Sequence, residues 1–188
     1  MKKSVLITLV AALVISAAGY AQSTDKWVSS KSHIKFFSST PAENIEANNM
    51  VAVSTITKST GEVVFSVPMQ GFEFEKALMQ KHFNSNKFLD TKNHPKTKLK
   101  ASITNLSEIN FSKDDTYQVN VEGELTIKGV TKAIKEKGTI TVKGSTVEVQ
   151  SKFNVTLADY GITFVDGKPS TNIAKTVEVT VHAEYQPE

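Results

Sequence analysis

Between Tyr117 and Ile127 the residues alternate without a break. Tyr117, Val119, Val121, Gly123, Leu125 and Ile127 fall on one side, and Gln118, Asn120, Glu122, Glu124 and Thr126 on the other. A period of two is what a strand buried on one face produces. After Lys128-Gly129-Val130 the alternation resumes on even positions, with Ile134, Gly138, Ile140 and Val142 set against Lys135, Lys137, Thr139 and Thr141. A tight hairpin that keeps one face inward requires this change of parity. Lys143-Gly144-Ser145 predicts a second turn, and Val147, Val149, Phe153, Val155 and Leu157 carry the meander on. A last strand sets Val177, Val179, Val181, Ala183 and Tyr185 against Thr176, Glu178, Thr180, His182 and Glu184.

The first half is strand-like but less regular. Trp27 to Phe37 predicts one or two short strands. Met50 to Thr57 and Glu62 to Met69 flank Lys58-Ser59-Thr60-Gly61, a turn with glycine placed for positive φ. Thr97 to Asn105 sets Leu99, Ala101 and Ile103 against polar neighbours. The total is about eight strands with short antiparallel connections. Glu75 to Asn84 breaks the pattern with good helix formers, placing Leu78 and Met79 near His82 and Phe83 at helical spacing. It predicts one short amphipathic helix over an open end of a barrel or sandwich. His94-Pro95 then forces an extended entry into the next strand.

The N-terminus reads as an export signal. Lys2 and Lys3 precede an apolar run from Val5 to Ile15, and Gly19 and Ala21 have the spacing that signal peptidase requires. Cleavage before Gln22 is expected, giving a periplasmic or secreted protein. Crossing a bilayer takes about 18 or more apolar residues, so no stable membrane anchor is expected from this run. Residues 22–188 read as one domain, without repeats, low-complexity tracts or linkers. The chain has no cysteine, so neither a lipid-modified cysteine nor disulfides are expected.

Charge and candidate chemistry narrow the function. The formal charge of +3 includes Lys2 and Lys3, leaving a mature protein too weakly basic to imply a nucleic-acid partner. All 22 basic residues are lysines, which lack the planar fork for bidentate anion capture. There is no G-x-S-x-G elbow, no phosphate loop and no dinucleotide fingerprint. Asp114-Asp115 and the Glu122/Glu124 pair read as solvated carboxylates. His82, Asp90 and His94 could form a His-Asp-His set only if their loop folds back, and their spacing fits no compact metal motif. No catalytic residues, metal or cofactor are expected.

Three stretches resemble the YceI-like family of exported lipid-binding proteins. Leu78, His82, Phe83, Phe88, Asp90 and Pro95 are similar to its helix-to-strand passage. Gly123, Leu125, Ile127, Gly129, Val130, Thr131 and Lys132 follow its hairpin signature, G-x-L-T-x-x-G-V-T-K. Asp159-Tyr160-Gly161-Ile162 resembles a later corner, and Ser32-His33-Ile34-Lys35-Phe36 adds support near the start. The chain departs from the family pattern at Pro41 to Ala47 and at Lys175. The resemblance implies an all-β fold, a single antiparallel eight-stranded lipocalin-like barrel with one short helix near one end. It also implies an isoprenoid or other lipid-like small molecule as partner.

An eight-stranded barrel can be filled by its own side chains or hold one small ligand. Ala101, Gly123, Gly138 and Ser151 are small mid-strand residues that would leave space if they came into register. They would equally suit tight barrel corners. A tunnel would be lined by Phe65, Val67, Met69, Phe72 and Phe74 from the first half, and by Leu78, Met79, Phe83 and Phe88 from the helix and its sequel. Leu99, Ile103, Val121, Leu125, Phe153 and Val155 would complete it. The competing expectation is a structural or adhesive β-module with a packed core, an exposed apolar patch and a protein partner. A homodimer stays open under either.

Overall fold

The computed structural model describes residues 25–163 and 172–188; the expected export signal lies outside them. The strands are β1 (Lys26–Ser39), β2 (Asn44–Asn49), β3 (Val53–Thr57), β4 (Glu62–Pro68), β5 (Phe72–Phe74), β6 (Lys96–Ile103), β7 (Asp115–Ile127), β8 (Val130–Lys143), β9 (Thr146–Thr156) and β10 (Thr176–Pro187). One α-helix, α1 (Ala77–Asn84), follows β5. Every pairing is antiparallel. The strands run β10-β9-β8-β7-β6-β4-β3-β1, and β10 returns to β1, closing an eight-stranded barrel.

The two remaining strands lie outside the ring. β1 is a single strand of 14 residues. Along one edge it pairs with β10 from Trp27 to Phe37. Along the other it changes partner, pairing with β3 at Lys26–Val28 and with β2 at Ile34–Ser39. β5 then adds to β2 through Asn49↔Phe72 and Ala47↔Phe74. The sheet therefore forks at β1, and one prong rises as a two-stranded flap.

Local chemistry sets the turns. Lys128 and Gly129 both have positive φ, 50° and 78°, between the paired Ile127 and Val130. That is the two-residue primed turn whose twist matches the flanking strands. Gly61 at φ 69° closes the β3–β4 turn, where its N–H donates to the Thr57 carbonyl at 2.8 Å. The helix begins two residues later than the sequence suggests and has no side-chain cap at Lys76. Eight residues are too few to be stable alone, so packing must hold it. Phe83 is the residue that α1 buries.

The interior is divided along the barrel axis. In the lower part Tyr185, Ile56, Ile140, Val142 and Val147 are each no more than 1% exposed. Trp27 joins them, with Phe111 edge-on at 5.2 Å sealing that end. Higher up, inward residues such as Leu99, Val121, Ile134, Phe153 and Val179 are only half buried. They face a hollow.

Candidate functional site

The hollow is a cavity of about 1030 Å³ in the upper barrel, with Ile56 and Ile140 in its floor. Its wall is overwhelmingly apolar. All fifteen residues expected to line a tunnel stand on this one cavity. β4 and the turn after it bring Phe65, Val67 and Met69; β5 brings Phe72 and Phe74. β6 contributes Leu99 and Ile103, β7 Val121 and Leu125, and β9 Phe153 and Val155. Leu78, Met79, Phe83 and Phe88 come from α1 and the loop behind it. Leu78 is the outlier: at 62% exposed it sits on the rim with most of its side chain in solvent.

The small residues turn out to serve geometry. Ala101 pairs with Gly123, and Gly138 with Ser151. A Cβ on Gly123 would collide with the Lys100 carbonyl and the Ala101 Cα. One on Gly138 would come within 2.6 Å of the Gln150 carbonyl. Both glycines permit close approach of the neighbouring strand.

An aromatic cluster borders the mouth. Phe83 stacks on Phe36 of β1 at 5.6 Å with the planes 12° apart, and meets Phe74 at 5.0 Å and Phe72 at 5.6 Å. The flap and helix thus form a cap whose underside is aromatic. A polar latch ties its outside: Lys76 Nζ donates to Glu43 Oε1 at 2.8 Å, and Asn172 Nδ2 donates to Glu43 Oε2 at 3.4 Å. The Lys76 hydrogen bond holds the Glu43 carboxyl below its ordinary range. The cap is pinned at its base by Asn49, fully buried, whose Nδ2 donates to the Pro68 carbonyl at 2.7 Å.

The residues of the metal hypothesis take other parts. His82 borders the cavity mouth, the His94 ring lies beside Gly129, and Asp90 accepts a hydrogen bond from Asn93 Nδ2 at 2.8 Å. Among the described residues no three His, Asp or Glu side chains gather as a metal-binding group.

Sequence reasoning missed part of the wall. Ile34 and Phe36 of β1, Ile45 of β2 and Val177, Val179 and Val181 of β10 also line it. So does Glu136. It occupies an inward position of β8 between Ile134 and Gly138, facing Val121 across the β7–β8 ladder. The even-numbered parity of that strand passes through it, a signal that its charge masked. Burial raises the Glu136 carboxyl above its ordinary value, with no opposing hydrogen bond. Tyr160, also pushed upward by burial, is close enough for Glu136 to add to that rise. Thr97 Oγ1, too, is buried on the wall with no hydrogen-bond partner.

Known proteins share this architecture. A polyisoprenoid-binding domain from Saccharophagus degradans matches with a TM-score of 0.74 and 14% identity, over 88% of this chain and 99% of that one. BcnA from Burkholderia cenocepacia matches at 0.67 and 16% identity, over 81% and 95%. A Campylobacter jejuni YceI protein matches at 0.57 and 14% identity, over 73% and 80%. No curated protein matches the sequence. The sequence model of the YceI-like domain matches residues 25–185, nearly all of the described chain. The chain belongs to the YceI-like domain family.

Proposed function

We propose that this protein is an exported, non-catalytic carrier that encloses one long apolar or amphiphilic molecule, polyisoprenoid or fatty-acid-like, for transport, storage or stress protection. The observation that carries this reading is the capped apolar cavity. At about 1030 Å³ it lies at the upper end of the range for small-molecule sites. Each methylene moved from water into such a wall contributes about 0.8 kcal/mol, so a long chain binds with few polar contacts. Met69 and Met79 suit an irregular chain because thioethers adapt their shape. The polyisoprenoid-binding domain of similar fold supports the ligand class. Export rests on the N-terminal signal, with a periplasmic or secreted destination. A packed adhesive module would need a filled interior, and the hollow favours the carrier.

The test is native mass spectrometry of the protein purified from its own host. The expected result is a mature chain starting at Gln22 that carries a non-covalent prenyl or acyl compound. Ligand-free spectra from several preparations, with no uptake of a fluorescent lipid by delipidated protein, would overturn the carrier reading. An uncleaved N-terminus would overturn cleavage before Gln22.

A further inference from the structure

Among the charged residues on the cavity wall, Glu136 stands apart. Glu43 and Lys76 sit at the rim and are paired with one another. Lys87 and His82 also belong to the mouth, on α1 and the loop after it. Glu136 is half-way down β8, and its carboxylate makes no hydrogen bond or ion pair with any described residue. Its strand neighbours Lys135 and Lys137 point outward, and Lys135 pairs with Glu122 on the outer face at 3.1 Å. The inward side chains beside it on β7 and β8 are Val121 and Ile134, both apolar.

A carboxylate in an apolar wall is costly for folding, since every burial of a charge without a partner loses hydration. It is also a fixed constraint on what can fill the space. Displacing water from such a group costs affinity unless the incoming molecule returns the hydrogen bonds. A hydrocarbon cannot, and an anionic head placed there adds like-charge repulsion. A hydroxyl or an ammonium supplies what the carboxylate lacks, through a charge-assisted hydrogen bond.

Resting on the carrier reading, we infer that Glu136 is the head-group contact of the cavity. It selects long-chain ligands that carry a hydrogen-bond donor, a hydroxyl or an ammonium, over ethers and acids of the same chain. The ligand then lies with its polar end at mid-depth against β8 and its chain running towards the Phe36–Phe83 cap. Lipid carriage alone would not specify that orientation. The 3-10 turn Leu157–Tyr160 packs against β8 and brings Tyr160 near the same spot.

The experiment measures binding of geranylgeraniol, its methyl ether, geranylgeranylamine and geranylgeranoic acid to delipidated wild type, Glu136→Leu and Glu136→Gln. Comparing each variant with wild type cancels the differences in water solubility between probes. The expected result is that Glu136→Leu lowers the alcohol-over-ether preference by about tenfold, leaving ether affinity unchanged. Glu136→Gln, an isosteric neutral acceptor, keeps part of the alcohol preference and loses most of the preference for the amine over the acid. Near-ultraviolet circular dichroism shows that both variants are folded, and Glu136→Gln carries the test if the leucine variant is not. Unchanged preferences in folded variants overturn the head-group assignment while ether binding keeps the carrier reading intact. Failure of every probe to bind wild type overturns both.

Discussion

The hydroxyl of Tyr185 meets the hydroxyl of Ser54 at 2.6 Å in the packed lower barrel, across the strand that separates β10 from β3. Both residues are buried. The bond marks the fork in the sheet. Val28↔Thr55 is the last β1–β3 pair, and the next amide, that of Ser54, donates instead to Ser29 Oγ at 2.8 Å. The β1–β10 register also slips here, between Ser29 and Lys31. A side-chain node takes over where the backbone ladder ends.

Removing one partner of that node strands the other in an apolar interior. Tyr185→Phe should lower unfolding stability by about 1–3 kcal/mol in urea titrations, because Ser54 Oγ loses its partner among the described residues. Combining it with Ser54→Ala should recover part of that loss. Strict additivity of the two single changes would show that the hydroxyls are not coupled.

Gly123→Ala tests whether the wall glycine is there for close strand approach. The new Cβ meets backbone of β6, which cannot rotate away. A cost of about 1–3 kcal/mol is expected, with a lower thermal midpoint. A neutral or stabilising effect would mean that the strands separate freely at this point.

The latch is a different matter energetically. The Lys76–Glu43 pair is exposed, with Lys76 62% accessible, and pairs of that kind contribute about 0–1 kcal/mol. Lys76→Ala should therefore leave the melting temperature almost unchanged yet speed the release of a bound fluorescent lipid in stopped-flow exchange. Equal release rates would remove the pair from any role in holding the cap.

Acid sensitivity should centre on Glu148. Gln150 Nε2 at 2.6 Å, Lys143 Nζ at 3.1 Å and His182 Nε2 at 3.0 Å all reach its carboxylate and hold its pKa down to about 2, from an ordinary 4.5. A depressed folded-state value stabilises the protein fully above the unfolded value and loses that contribution as pH falls towards the folded one. The stability gap between wild type and Glu148→Gln should thus be constant above about pH 4.5 and close towards pH 2. A gap that widens on acidification would contradict this assignment.

The hairpin at Lys128-Gly129 was readable because turn chemistry and the parity change on either side point to one geometry. The flap was not. β2 reads Asn-Ile-Glu-Ala-Asn-Asn, rich in a residue that strands disfavour, and it exists because β1 offers it an edge. β5 has three residues, too few to show a period. Trp27 to Phe37 gave no hint that one strand would serve two neighbours along one edge, which is a tertiary fact. The cavity wall was readable from alternation and from aromatic residues around the helix. Glu136 escaped because a charge at an inward position looks like an interruption of the pattern, although the parity was intact.

Dividing the interior into a plugged half and a hollow half separates two kinds of response to substitution. Substitutions among Tyr185, Val142 and Val147 are felt as loss of the folded state, since those side chains have no free space around them. Substitutions at Leu99, Val121 or Phe153 border an open volume, where a larger or smaller side chain finds room to change without strain. The cavity can therefore be re-bored for a new occupant while the scaffold below it stays constant. This makes the barrel a tolerant starting point for designing a cavity of another shape.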